Sequence, residues 1–158
     1  MAADITLTTA TASVQDAPTA KTKLSPVEGT PDHRVLPDVY TVADALEVGD
    51  KIRVRIVQGG SKILPRFGDV VEATTASFLQ LDVGIYKVAA DRGIGAVVTE
   101  DALADGVDFA GSGVYIARPY DVPTTENEYW IVAKVVGVTG TTVAGETIDF
   151  YTAINSAN

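Results

Sequence analysis

Three features of the sequence predict an all-β fold: an antiparallel β-sandwich or jelly-roll-like barrel with a long extended N-terminal arm. Apolar residues recur with period two along much of the chain after residue 38. Turn signals rich in glycine and aspartate separate these runs at short intervals. Residues 1–37 show neither pattern and hold four of the seven prolines, Pro18, Pro26, Pro31 and Pro37. The division expected is therefore an arm, 1–37, and a β-domain, 38–158.

The arm is rich in Thr, Ala, Ser and Pro, as in Thr8-Thr9-Ala10-Thr11-Ala12-Ser13. Its apolar residues stand apart: Ile5, Leu7, Val14, Leu24, Val27, Val35 and Leu36. Such a segment cannot bury enough surface to offset its own ordering entropy. Such an arm is held either by its own domain or by a neighbouring chain; isolated apolar anchors between polar spacers suit a strap laid across another surface, so these seven residues are the candidate partner-binding positions.

Strand signals begin at Lys51. Ile52, Val54 and Ile56 alternate with Lys51, Arg53 and Arg55, which predicts a half-buried strand with the basic residues outward. Leu79, Leu81 and Val83 alternate with Phe78, Gln80 and Asp82 in the same way. Tyr129 to Val138 is apolar on both faces and rich in β-branched residues, as a central strand is. Ile148, Phe150, Thr152 and Ile154 mark one face of a last strand. Shorter candidates are Ser61–Leu64, Asp69–Ala73, Gly95–Thr99 and Val114–Ala117. Val138 to Val143 reads as a tight hairpin around Thr139-Gly140. Two stretches read as short helices, Tyr40–Leu46 and Thr99–Ala104, the second with Thr99 as its cap.

Composition excludes several kinds of chemistry. The chain has 158 residues, enough for one domain with a sizeable core, and no cysteine. Disulfides, thiolate nucleophiles and cysteine-ligated metals are ruled out. The net charge is −9, of which residues 1–37 carry only −1, so a basic grip on nucleic acid is not expected. The longest apolar stretch, Tyr129 to Val138, contains Lys134 and is half of the roughly 20 residues that a membrane span needs. No basic and apolar leader opens the sequence, so synthesis in a cytosol is expected.

Candidate catalytic groups do not assemble into a motif. Gly93-Ile94-Gly95 and Gly111-Ser112-Gly113 lack the remainder of a phosphate-binding loop and read as turns. The single histidine, His33, lies in the proline-rich arm, which leaves Ser61, Ser77 and Ser112 without an activating imidazole in the domain. Asp101, Asp105 and Asp108, or Glu126 and Glu128, are carboxylates with no sign of a cleft between them. Glu100 and Asp101 with Asp105 and Asp108 offer oxygen ligands for calcium, but their spacing is not that of an EF-hand loop. Trp130 sits in an apolar run and is expected in the core; Tyr115 and Tyr120 are the loop-side aromatics. The residues therefore predict a non-enzymatic chain with no cofactor and no bound metal.

One stretch carries a resemblance. It runs from Val39-Tyr40-Thr41-Val42-Ala43-Asp44-Ala45-Leu46-Glu47-Val48-Gly49-Asp50-Lys51-Ile52-Arg53-Val54 through Gly60-Ser61-Lys62-Ile63-Leu64 and Leu81-Asp82-Val83-Gly84-Ile85 to Ala90-Asp91. In this order, over about a third of the chain, it resembles small virion structural proteins of tailed bacteriophages, the kind that includes capsid decoration (cement) proteins. The resemblance implies a β-sandwich or jelly-roll-like domain on the outer face of a phage head and a homo-oligomer, taken as a trimer. It also implies the major capsid protein or other virion subunits as partners. Two alternatives stay open: a head–tail, tail or fibre-base component of the virion, and a carbohydrate- or calcium-binding β-module.

Overall fold

The computed structural model describes residues 6–8, 34–64, 69–73, 79–108, 114–116, 118–138, 140 and 144–155, of which 6–8, 34–37, 69–73, 107–108 and 114–116 are described by their backbone. The strands in chain order are β1 (Thr6–Thr8), β2 (Arg34–Thr41), β3 (Lys51–Gln58), β4 (Lys62–Ile63), β5 (Asp69–Ala73), β6 (Leu79–Val88), β7 (Ile94–Asp108), β8 (Val114–Ile116), β9 (Tyr120–Asp121), β10 (Glu128–Val138) and β11 (Thr147–Asn155). There is no helix among the described residues.

Two sheets pack face to face. The first has the order β1-β3-β10-β6-β7. The second runs β8-β5-β11-β4-β9, with β2 along the other edge of β11. Every pairing is antiparallel except that of β1 with β3. At one side the sheets are stitched together, because Arg118, between β8 and β9, donates its backbone N–H to the Leu103 carbonyl of β7 (3.0 Å).

The main core lies between the sheets. Ile52, Val54 and Val57 of β3, Leu81, Val83 and Ile85 of β6, and Tyr129, Ile131, Ala133 and Val135 of β10 meet Ile148 and Phe150 of β11 and Ile63 of β4. β10 is apolar on both faces and lies at the middle of the first sheet, between β3 and β6. Burying a large side chain of this kind contributes roughly 1.5–3 kcal/mol.

Three local expectations fail for tertiary reasons. Tyr40–Leu46 is not a helix. Tyr40 and Thr41 end β2, and the chain beyond them bonds to the approach to β11, with Val42 N–H on the Glu146 carbonyl and Gly145 N–H on the Val42 carbonyl (both 2.8 Å). Thr99–Ala104 is not a helix either. It lies inside β7, where Thr99 pairs with Ile85 and Ala104 with Val83, and ladder bonds outweigh its local preference.

The hairpin expected over Val138–Val143 falls largely outside the described residues. Residues 139 and 141–143 lie outside the described set, and β11 joins the second sheet. Finally, the alternation along β3 breaks at Val54. Ile131 of β10 pairs with Arg55 and the adjacent Val132 with Arg53, so Val54 is an extra residue in a bulge. Beyond it the faces change. Arg55 turns inward, and Ile56 joins the opposite face.

Candidate functional site

Two places on the domain carry more than core packing: the outer face of the first sheet, and the foot of the arm.

The outer face is built on β10. Because that strand is apolar on both sides, Trp130 and Val132 point away from the main core and form a second apolar cluster with Tyr86, joined by Ile56, Val88 and Ile94. Trp130 is fully buried, and its Nε1–H donates to the Arg92 carbonyl at 3.1 Å. Arg92 sits in the β6–β7 turn at φ 68°, in the left-handed region. The turn is closed by Ala89 N–H on the Gly93 carbonyl (3.0 Å) and Arg92 N–H on the Ala89 carbonyl (2.9 Å). Arg92 also pairs with Glu128 at 2.6 Å. The guanidinium of Arg53 stands 5.2 Å from the centre of the Trp130 ring, a cation–π contact. The β6–β7 turn and Arg53 thus close over the tryptophan.

Beside this cluster lies a charged one. Lys51 of β3 and Lys134 of β10 are direct cross-strand partners, and like charges in that relation repel. Glu100 of β7 answers them. Its carboxylate accepts from Lys134 Nζ at 2.5 Å and from the Tyr86 hydroxyl at 3.5 Å. The Lys134 hydrogen bond holds the Glu100 carboxyl below its ordinary value against the opposing effect of burial, and Lys51 adds a smaller pull. Burial first, and then the Glu100 charge, push the Tyr86 phenol up to about 12, so it stays protonated.

Gly84 makes this arrangement possible. A Cβ there would run into the carbonyl oxygens of Thr99 and Glu100, so only glycine lets β7 cross so close above β6. The pairing register of β7 against β6 shifts between Val83 and Ile85, at the same place. Every group in the cluster is thereby engaged with another. The Lys134–Glu100 pair clamps β7 to β10 across β6.

The other candidates are dispersed. Glu100, Asp101, Asp105 and Asp108 are strung along β7, and Asp105 pairs with Arg118 at 3.6 Å. Glu126 pairs with Lys87 at 2.6 Å. No group of three or more His, Asp or Glu side chains that could hold a metal ion occurs among the described residues. Gly93 and Gly95 flank the β6–β7 turn and the start of β7. Ser61 is buried in the turn before β4, its N–H on the Gln58 carbonyl. Tyr120 is half-buried against the core, with its hydroxyl 3.2 Å from Thr99 Oγ1. His33, Ser77, Ser112 and Gly111–Gly113 lie outside the described residues, and Tyr115 is placed only by the backbone of β8.

At the foot of the arm, β2 begins at Arg34 and pairs with β11 from Thr41↔Thr147 to Arg34↔Ile154, so the strand runs across residue 37. Among the candidate arm residues, Val35 pairs with Ala153 and Leu36 with Thr152, while Leu7 of β1 pairs with Ile52. Ile5, Val14, Leu24 and Val27 lie outside the described residues.

Asp38 of β2 and Arg55 of β3 form a buried ion pair, Nε to Oδ2 at 2.5 Å, with side chains 0% and 6% exposed. It ties the strand that emerges from the arm to the first sheet. Sequence reasoning missed this pair and the Glu100 clamp. Strict alternation assigns Arg55 to solvent, and only the bulge at Val54 sends it inward.

No family model matches the chain, and no curated protein matches it. Among solved structures, a chain in the capsid of Ralstonia phage GP4 has the same fold, with a TM-score of 0.65 at 18% identity. The match covers 80% of this chain and 86% of that one, so most of each chain corresponds. At this identity the likeness is one of fold. It agrees with the β-sandwich expected from the sequence.

Proposed function

We propose that this chain is a non-enzymatic structural protein of a phage virion, of the decoration or cement kind. The β-domain, residues 38–158, sits on the outer face of the head. The arm, residues 1–37, straps neighbouring subunits, the major capsid protein among them, and the copies associate as a trimer after synthesis in the host cytoplasm. The observation that carries this reading is the fold likeness, over 80% of this chain, to a chain in the capsid of a phage.

Physical features support it. Glu100, Asp105, Glu126 and Glu128, four of the carboxylates that could have formed a ligand site, are instead paired with Lys134, Arg118, Lys87 and Arg92. A net charge of −9 disfavours a position against packaged nucleic acid and favours the outside of a shell. Scattered anchors on one tether gain affinity together, because each engagement raises the effective concentration of the next.

The test removes residues 1–33, which leaves β2 intact. The shortened protein is expected to fold, by circular dichroism, and to bind native particles far more weakly than the full chain in co-sedimentation. Undiminished binding overturns the strap. Quantitative mass spectrometry of purified particles is expected to count hundreds of copies; a single small ring of copies points to a connector or tail component instead.

A further inference from the structure

Among the described residues β1 is the one strand that pairs in parallel, with Thr6 opposite Lys51, Leu7 opposite Ile52 and Thr8 opposite Arg53. Running with β3, β1 points toward the Gln58 end of the sheet. β2 starts toward that same end, since it leads through residues 42–50 into Lys51 and meets Arg55 through Asp38. Counting strand rise and spacing along this route puts the ends of the connection, Thr8 and Arg34, at most about 35 Å apart.

The connection is residues 9–33. About 25 residues extend to roughly 85 Å. That is more than twice what docking on its own β3 requires, and well beyond the roughly 35 Å diameter of a domain of this size. The edge of β3 that β1 covers is identical in every copy, and an uncovered edge there invites pairing.

We propose that β1 is an exchanged strand: in the assembled protein Thr6–Thr8 of one copy pairs in parallel with Lys51–Arg53 of a second copy of this chain. Exchange preserves every ladder bond of the β1–β3 pair. The closure cost of the long connection grows only logarithmically with its length, so docking at home and docking next door differ little once two copies are adjacent. Exchange also adds a link between copies, and head-to-tail repetition closes a ring. The inference rests on the homo-oligomer of the proposed function and not on attachment to a shell.

The absence of cysteine makes the test clean. Register partners in a parallel pair lie at Cα separations that a disulfide can bridge. Full-length Thr6→Cys and Lys51→Cys chains, each with a different C-terminal tag, are co-expressed, oxidised and separated without reductant. A mixed covalent dimer carrying both tags is expected, absent after reduction. The double variant T6C/K51C is expected to migrate mostly at two or more chain masses.

Light scattering of the wild-type protein separates the two readings. An oligomer whose double variant is bridged only within single chains overturns the exchange and leaves the oligomer standing. An oligomer with no disulfide in any variant overturns it as well, since β1 then lies on no β3. A monomer in solution removes both.

Discussion

Replacing Asp38 with alanine tests the architecture at its most exposed dependency. The carboxylate is fully buried and touches the Arg55 guanidinium, which is itself 6% exposed. Alanine leaves that guanidinium desolvated and without its counter-charge. Removing one partner of a buried pair costs about 3–5 kcal/mol. For a domain of this size each kcal/mol lowers Tm by about 2–5 °C, so a fall of roughly 10–20 °C is expected.

The pair itself is no great stabiliser. Asp38 Oδ1 is buried without a hydrogen-bond partner, so part of the carboxylate's desolvation is uncompensated. The double variant D38L/R55M, which replaces both charges with apolar groups of similar bulk, is therefore expected within about 1–2 kcal/mol of wild type or above it. Urea denaturation followed by the fluorescence of Trp130, the single tryptophan, reads all three proteins. A loss below about 1 kcal/mol in D38A would refute the reasoning, because Arg55 would then be reaching water. A double variant as unstable as the sum of its single variants would refute the claim that the two side chains act as a pair.

Two further outcomes are expected on the outer face. Glu100→Gln takes the full negative charge away from Lys134, which faces Lys51 across the strands, and costs about 0.5–1 kcal/mol at pH 7, a modest figure because the Glu100 side chain is 44% exposed. Since the folded protein holds this carboxyl below its usual 4.5, the contribution is present above that value and is lost as pH falls through the lowered one. Denaturation curves of the two proteins should therefore converge at low pH, and a gap that persists there contradicts the assignment. Gly84→Ala drives a methyl group into the carbonyls of Thr99 and Glu100 and is expected to cost about 1–3 kcal/mol, read by thermal melting. Its effect should be less than additive with E100Q, because lifting β7 already withdraws Glu100 from Lys134.

The pattern of strands was largely legible because a sheet with one buried face writes its period into the sequence. The runs Leu79–Val83, Tyr129–Val138 and Ile148–Ile154 lie in β6, β10 and β11. Gly49 and Gly60 both stand at positive φ, 104° and 80°. What misled was local preference. Tyr40–Leu46 and Thr99–Ala104 favour helix by their own composition, yet the first ends β2 and bonds to the approach to β11, and the second lies inside β7. Trp130 was expected in the core, and it is fully buried, but in a separate cluster on the opposite face of the sheet.

By itself the sequence determined the all-β class, the central position of the doubly apolar β10, the break in character near residue 37 and the lack of cysteine chemistry. These are properties of composition and of alternation, which depend only on neighbouring residues. The tertiary structure alone decided which strands pair, that Arg55 turns inward to Asp38, and that Glu100 reaches Lys134. The last two depend on a register shift of a residue or more in a ladder, at Val54 in β3 or opposite Gly84 in β7. A shift of one residue exchanges the faces of a strand, and it is set by the partner strand, which alternation along a single segment does not encode.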